Sequence, residues 1–433
     1  MSEVKVIGAG LAGCEAAWSL AEAGHSVTLY EQKPLRFSPA HKSERFAELV
    51  CSNSLKADRL GSAAGLLKAE MRLFGSVCLT AADTCRVPAG GALAVDRELF
   101  SQAVTEAVRN HPNITVVNEE VTELTGDVPT VVATGPLTEG ALAERLAELC
   151  SAGSLYFFDA AAPIVTADSL DMEKLSGQSR YGNGGDDYLN AFFNKESYEA
   201  FHTALVEAEC AELHDFEKDQ KVYEGCMPIE KLAKRGKDAI RFGPMKPVGL
   251  TDPATGRRPW AAVQLRREDA EGSMYNIVGF QTNLKFGEQK RVFGMIPGLE
   301  NAEFVRYGVM HRNSFLNAPE TLDGTLRIKG QPNIYVAGQL TGFEGYMESA
   351  ASGILAAYFL KKQLAGETVK PLPTDTMLGA MLAYLAAPNR DFQPMGANMG
   401  LLPSLEQPPR DKKLRYELIA ERAMASMRAY LAE

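Results

Sequence analysis

Residues 4–31 read VKVIGAGLAGCEAAWSLAEAGHSVTLYE, and this stretch decides the fold of the chain. The apolar run Val4–Ile7 predicts a strand, the next six residues form a G-x-G-x-x-G turn, and a helix follows as far as Ala23. Gly24 predicts the end of that helix, and a second strand then runs to Glu31. A strand, a glycine turn, a helix, a strand and an acidic residue in this order are typical of a dinucleotide-binding fold.

The positions of the glycine turn have separate physical roles in holding a dinucleotide. Gly8 allows the tight turn, Gly10 lets the backbone approach a pyrophosphate, and Gly13 lets the helix pack against the strand. The N–H groups at the start of the helix bind phosphate oxygens, and the Glu31 carboxylate is placed to hydrogen-bond a ribose. The predicted cofactor-binding residues of this segment are Gly8, Ala9, Gly10, Leu11, Ala12, Gly13 and Glu31.

Two further segments are expected to join the same site. At 94–135 a helix is followed by a predicted β-ribbon, where Val121 would lie against an adenine, and by a strand that ends in a glycine turn. At 333–360 a strand, a glycine-punctuated turn and a long helix are expected to bring Gly338 and Gln339 to a flavin. A helix N-terminus aimed at the ring would stabilise an anionic reduced flavin. Three pieces of one site favour FAD over NAD.

Composition limits the class of protein. The chain has 433 residues, of which 45% are hydrophobic and 23% charged, and a net charge of −10. These values are typical of a soluble globular protein with two or three domains. We find no apolar run of membrane-spanning length and no signal peptide, so a cytoplasmic location is expected. The seven cysteines include no C-x-x-C pair, which argues against a disulfide framework and a zinc site, and no metal is expected.

Residues 151–290 match none of the cofactor-binding segments and predict an inserted α+β domain. The predicted α/β, Rossmann-like FAD-binding domain of the two-dinucleotide type then consists of 1–150 and of 291–433 with its C-terminal helices. Between Lys231 and Arg267 the insert has ten basic residues and two acids, although the whole chain is acidic. Such a run is either a solvated surface or a binding site for a polyanion.

Two cysteines have settings that suit catalysis. Polar residues 52–54 are expected to cap a helix whose apolar face recurs at Leu67, Met71 and Phe74, so that Cys51 lies at its N-terminus. A helix N-terminus lowers the pKa of a thiol. Cys226 precedes a second predicted helix and has several basic residues nearby. The local pattern leaves open whether each is a reactive thiol or an inert packing residue. It also leaves open whether Arg97 contacts a cofactor phosphate or pairs with Asp96.

Motifs along the chain resemble the TrmFO family of folate- and FAD-dependent tRNA (uracil-5-)-methyltransferases, which is related to the GidA flavoproteins. They include GAGLAGCEAAW, FAELVCSNSLK, GLLKAEM, EGCMPIE, RFGPMKPVGL, YNIVGFQTNLK and AGQLTGFEGYMESAASG. The resemblance covers essentially the whole chain, and it includes the insert, where other flavoproteins would diverge. It is therefore specific.

The resemblance implies a reaction and assigns roles to residues. NAD(P)H would reduce FAD, 5,10-methylenetetrahydrofolate would donate one carbon, and the product would be a methyl group on C5 of uridine 54 in the tRNA T-loop. Cys51 and Cys226 would be the catalytic pair, with Cys226 favoured as the acid–base partner and the order of their steps open. His311 and Tyr346 would hold folate against the flavin.

The insert would meet the tRNA backbone, with Lys231, Lys234, Arg235 and Arg241 as the predicted contacts. Four other functions are considered at this point. They are the same chemistry on a ribosomal RNA uridine, modification of the tRNA wobble uridine as in the larger GidA relative, an RNA-independent NAD(P)H–FAD oxidoreductase, and an RNA-binding protein with a vestigial cofactor pocket. The sequence leaves the oligomeric state undetermined.

Overall fold

A computed structural model describes residues 1–150, 155–160, 162–182, 185–211, 227–308, 310–389 and 392–433. The β-strands are β1 (Glu3–Ile7), β2 (Ser26–Glu31), β3 (Ser54–Ala57), β4 (Arg86–Val87), β5 (Ala92–Val95), β6 (Ile114–Asn118), β7 (Thr130–Val132), β8 (Leu155–Ala160), β9 (Ile164–Thr166), β10 (Leu175–Gly177), β11 (Tyr188–Phe193), β12 (Ala261–Arg267), β13 (Met274–Ile277), β14 (Phe304–Arg306), β15 (Met310–Phe315) and β16 (Ile334–Val336). The α-helices are α1 (Leu11–Glu22), α2 (Ala63–Leu73), α3 (Val77–Thr84), α4 (Arg97–Arg109), α5 (Gly140–Cys150), α6 (Lys195–Glu207), α7 (Ile229–Ala233), α8 (Ala239–Phe242), α9 (Phe286–Phe293), α10 (Ala318–Thr321), α11 (Tyr346–Leu364), α12 (Met377–Ala386) and α13 (Lys412–Ala432). Within these ranges, each helix is too short or too polar to cross a lipid bilayer.

A parallel five-stranded sheet forms the centre of the first layer, in the order β16-β7-β1-β2-β6. Val6 lies between Leu29 and Val131 in the register, and all three side chains are buried. Helices α1 and α11 pack together, and Gly353 of α11 comes so close that a Cβ there would lie 2.0 Å from the Ala12 carbonyl oxygen. This arrangement confirms the predicted α/β, Rossmann-like class.

A second, six-stranded sheet lies within the predicted insert and just beyond it, in the order β10-β11-β12-β13-β9-β14. Its pairings are antiparallel, and its buried side chains form a separate hydrophobic core that extends from Val165 to Ala302. Helix α9 contributes Val292 and Phe293 to this core. The division at residues 150 and 290 remains a prediction.

The segment predicted as a β-ribbon contains one strand. Ile114–Asn118 forms β6, which pairs in parallel with β2 at the edge of the main sheet. The chain after Asn118 has no regular structure until Thr130, and in that stretch it passes the cavity described below. Val121 is therefore carried by a loop rather than by a ribbon.

Candidate cofactor and active site

A cavity of about 470 Å³ lies at the carboxyl ends of β1 and β2, where open α/β sheets bind their ligands. Three separate stretches of sequence meet there, as the glycine patterns predict. The residues of the predicted site that line the cavity are Gly8, Ala9, Gly10, Leu11, Ala12, Glu31, Cys51, Val121, Gly338, Gln339 and Tyr346.

The glycine turn has the shape that a pyrophosphate requires. Gly8 has φ +97°, and a Cβ there would lie 2.6 Å from the Ala133 carbonyl oxygen. A Cβ on Gly13 would lie 1.7 Å from the Gly8 carbonyl oxygen, so Gly13 packs behind the turn. A Cβ on Gly10 would meet no atom within 4 Å and would project into open space. Helix α1 begins there without a side-chain cap, which leaves its N–H groups to a phosphate.

Glu31 closes the other end of the turn. Its Oε2 accepts a hydrogen bond from the Ala9 N–H at 2.8 Å, and its Oε1 accepts one from the Lys33 N–H at 2.9 Å. The side chain is buried, and it lines the cavity at the end of β2. Two backbone bonds therefore orient the carboxylate, and its other lone pairs are suited to ribose hydroxyls.

Helix α11 begins at the cavity wall, as the sequence predicts. Gly345 precedes it with φ +121°, and no side chain caps its first turn. Gly345, Tyr346 and Met347 line the cavity, so the positive end of a 19-residue helix faces the cavity. Such a helix end stabilises negative charge on a bound group.

The prediction that Cys51 precedes a helix is wrong. Strand β3 follows, and the next helix, α2, begins at Ala63 with Ser62 as its cap. Two of the three side chains expected to cap the helix, Ser52 and Asn53, have a long-range partner instead. Arg266 donates from Nε to Asn53 Oδ1 at 2.8 Å and from Nη2 to Ser52 Oγ at 2.7 Å.

The surroundings of Cys51 come from distant parts of the chain. The Tyr346 hydroxyl oxygen accepts hydrogen bonds from the N–H groups of Cys51 at 2.6 Å and Ser52 at 3.1 Å. Arg306 Nη2 lies 3.4 Å from the Cys51 carbonyl oxygen, to which it donates. Burial raises the pKa of Tyr346, so its phenol is neutral at physiological pH. Cys51 and Tyr346 therefore share one wall of the cavity.

Arg97 does not pair with Asp96, and it is not among the residues that line the cavity. Its Nη1 donates to the Leu49 carbonyl oxygen at 2.6 Å, and its Nε pairs with Glu268. Asp96 caps α4 instead, accepting from the Leu99 N–H at 3.0 Å. Sequence reasoning missed Arg306 and Glu268 altogether, because no local motif marks them.

Two predicted site residues cannot be placed in the cavity. Cys226 lies outside the described residues. His311 belongs to β15, where its backbone pairs with Asp159 of β8, and its side chain is outside the description. Asn313, two residues further along β15, lines the cavity, and the sequence had not indicated it.

The basic run divides into an exposed part and a buried part. Lys234 and Arg235 are exposed, and Lys231 is half-buried on α7. The Arg241 guanidinium lies 4.0 Å from the centre of the Trp260 ring. Arg266 is only 6% exposed and belongs to the surroundings of Cys51.

The parallel sheet, the glycine turn and the acidic end of β2 define a dinucleotide-binding protein of the Rossmann-like class. Residues 3–368 match the family described as glucose inhibited division protein A (GidA), and the chain belongs to this family. A solved structure of Aquifex aeolicus GidA superposes with a TM-score of 0.68 at 16% identity, covering 100% of this chain and 78% of that one. This similarity concerns the fold.

Much closer relatives share the sequence itself. The methylenetetrahydrofolate--tRNA-(uracil-5-)-methyltransferase TrmFO of Acetivibrio thermocellus is 56% identical over 431 residues, which is 99% of each chain. The protein of the same name from Bacillus subtilis is 54% identical over 425 residues, 98% of this chain and 97% of that protein.

Proposed function

We propose that this chain transfers the one-carbon unit of 5,10-methylenetetrahydrofolate to C5 of uridine 54 in the T-loop of tRNA, as a methyl group. The observation that carries the proposal is the position of Cys51, which shares one cavity with a dinucleotide-binding glycine turn. Identities of 54–56% over nearly the whole chain with proteins named for this reaction support it.

The cavity fits FAD, because its glycine turn is open at Gly10 and its second helix end faces the same space. Residues 8–12 and Glu31 would hold the pyrophosphate and ribose, and Val121 would lie against the adenine. Gly338 and Gln339 would lie at the flavin. Bound FAD, kept reduced by NAD(P)H, would supply the two electrons that convert the methylene carbon to methyl.

The side chains of this protein would supply the activation of uracil. C5 of uracil is a poor nucleophile until a thiolate adds to C6, and a second group must then remove the C5 proton. We assign these two tasks to Cys51 and Cys226, with Cys226 favoured as the acid–base partner. Tyr346 and His311 would hold the folate.

The part of the basic run on and next to α7 and α8 would bind the tRNA backbone. Lys231, Lys234 and Arg235 lie on or next to α7, and Arg241 is oriented by the Trp260 ring. Phe242, 74% exposed, lies beside them in the sequence and offers a face for a base. We therefore assign the insert, residues 151–290, to RNA binding, which should weaken steeply as salt rises.

A methyl-transfer assay on unmodified tRNA tests the proposal, with FAD, NAD(P)H and methylenetetrahydrofolate present and the product nucleotide mapped. We expect 5-methyluridine at position 54 and none when folate is omitted. Methylation of ribosomal RNA instead, or NAD(P)H oxidation without an RNA product, would refute it. Cys226→Ala should abolish methylation, and full activity of that variant would contradict the role of Cys226.

A further inference from the structure

Three aromatic side chains form a stack next to Arg306, and we call them the aromatic column: Phe304, Tyr307 and Phe286. The ring centres of Phe304 and Tyr307 are 4.9 Å apart, with an angle of 6° between the ring planes. Those of Tyr307 and Phe286 are 4.6 Å apart, with an angle of 19°. Three nearly parallel rings therefore follow one another, as bases do in a stacked strand of nucleic acid.

One end of the column packs against protein and the other is open. Phe304 packs against the hydrophobic core of the second sheet, whereas Phe286 is 55% exposed at the start of α9. In the described part of the chain, Tyr307 is the ring that contacts Phe286, so the outer face of Phe286 carries no further ring. A ring that is exposed and already aligned with two others offers a flat apolar face to a planar group.

A buried glutamine holds the open end of the column in place. Gln289 lies three residues after Phe286 on α9, so the two side chains leave the helix on the same face. Its Nε2 donates to the carbonyl oxygens of Leu284 at 2.7 Å and Gly308 at 2.8 Å, and its Oε1 accepts from the Gly308 N–H at 2.8 Å. Because Gly308 directly follows Tyr307, these bonds hold Phe286 against Tyr307 before any ligand binds.

The column is continuous with the cavity through the chain that carries it. Arg306 directly precedes Tyr307 and donates to the carbonyl oxygen of Cys51 at 3.4 Å, and Asn313, on the next strand, lines the cavity. The pairing of β14 with β9 is irregular between Phe304 and Arg306, and such bulges change the direction of side chains. Neighbouring residues of one segment thus serve the cavity wall and the column. A polymer with one base in the cavity has its adjacent nucleotides near the column.

The charged side chains next to Phe286 are paired with each other. Lys285 Nζ lies 2.7 Å from Glu209 Oε2, and Arg291 Nη2 lies 2.6 Å from Glu288 Oε2. Attraction to RNA phosphates depends on basic groups whose charge is not already balanced by carboxylates. The column is therefore suited to a base rather than to the RNA backbone.

We propose that the aromatic column stacks a base of the RNA substrate that neighbours the uridine in the cavity. This rests on the proposed function, because it names the part of the same site that holds the RNA beside the reacting base. An enzyme that acts on a base takes it out of its stack, and the adjacent base then loses a neighbour. The outer face of Phe286 replaces that neighbour, and stacking on an aromatic ring accepts any base. The column thus contributes affinity and position rather than sequence preference.

Phe286→Trp converts the open end of the column into a reporter of stacking. The tryptophan emission of the full-length protein with FAD is followed as unmodified tRNA is added, and the change in the wild type, which has two tryptophans, is subtracted. We expect tRNA to quench the added tryptophan with the Kd that filter binding gives, because a base stacks on its indole ring. The matched control is Leu414→Trp on α13, a position 46% exposed, whose emission should stay unchanged.

Phe286→Ala and Phe286→Leu test whether the flat ring itself is needed. Both remove an exposed ring and leave Gln289 in place, so the urea midpoint should stay close to that of the wild type. We expect each to raise the Kd for unmodified tRNA about tenfold, which is about 1.4 kcal/mol. Plots of log Kd against log salt should stay parallel to the wild-type plot, because no phosphate contact is lost.

Three results would overturn the column as a base-binding surface. They are wild-type tRNA affinity in a folded Phe286→Ala, wild-type affinity in Phe286→Leu, and no quenching of Phe286→Trp by bound tRNA. Loss of self-association in Phe286→Ala, measured by sedimentation and with tRNA affinity unchanged, would also overturn it, since the column would then be a contact between two copies of the chain.

The column and the proposed function fail separately. Quenching and weakened binding in a protein that makes no 5-methyluridine support the column and refute the proposed function. Methylation at position 54, together with wild-type tRNA affinity in Phe286→Ala, refutes the column and leaves the function standing.

Discussion

Alanine substitutions at two glycines of the same turn should affect different properties, one the stability of the fold and the other the binding of the cofactor. A Cβ on Gly13 would lie 1.7 Å from the Gly8 carbonyl oxygen, although real Cβ atoms essentially never approach other atoms within 3.0 Å. Strand β1 and helix α1 would have to separate by more than an ångström, and overpacking of this kind costs about 1–3 kcal/mol. Gly13→Ala should therefore lower the free energy of unfolding of the cofactor-free protein by that amount.

Gly10→Ala should leave the fold intact and weaken the binding of the cofactor. Gly10 has φ −73°, which alanine adopts without strain, and its Cβ would stand in open space beside the cavity. The methyl group would occupy the space that we assign to the pyrophosphate. We expect FAD to bind at least about tenfold more weakly, which is about 1.4 kcal/mol.

Urea unfolding of the cofactor-free proteins and titration of FAD fluorescence separate the two effects. Gly10→Ala should show wild-type unfolding and weaker binding, whereas Gly13→Ala should show a lower unfolding midpoint. Wild-type affinity for FAD in Gly10→Ala would refute the placement of the pyrophosphate beside Gly10. Wild-type stability in Gly13→Ala would refute the packing argument.

Three further substitutions test the cavity wall that carries Cys51, the basic run assigned to RNA binding, and a buried carboxylic acid. Tyr346→Phe leaves two part-buried N–H donors without their acceptor, so the free energy of unfolding should fall by about 1 kcal/mol and methylation should become slower; unchanged urea midpoints would contradict this. Lys234→Glu should weaken tRNA binding and flatten its salt dependence in a filter-binding assay, whereas Lys413→Glu on α13, 75% exposed at the side chain, should do neither. Burial raises the pKa of Glu70 from 4.5 to about 7, so the folded protein keeps a proton that the unfolded chain loses in this window. The free energy of unfolding of the wild type, relative to that of Glu70→Gln, should be highest below pH ~4.5. It should fall by up to about 3 kcal/mol as the pH rises to 7 and then stay constant; parallel pH profiles of the two proteins would exclude this linkage.

The sequence was sufficient to predict the glycine turn and the part of the cavity wall that it forms. The strand, the turn, the helix and Glu31 lie within one stretch of 31 residues, and contacts between near neighbours determine their geometry. A glycine at φ +97° or a glycine packed against a carbonyl leaves a pattern that can be read directly. The start of α11 at Tyr346 was predicted for the same reason, since Gly345 at φ +121° ends the preceding turn.

The environment of Cys51 was decided only by the tertiary structure. The expected helix begins only at Ala63, and the side chains of Ser52 and Asn53 bind Arg266, more than 200 residues away, instead of capping it. The hydroxyl of Tyr346 reaches the Cys51 N–H across 295 residues of sequence. Side chains that meet only after two sheets have packed leave no local pattern, so the charge around the thiol could not be predicted from the residues beside it.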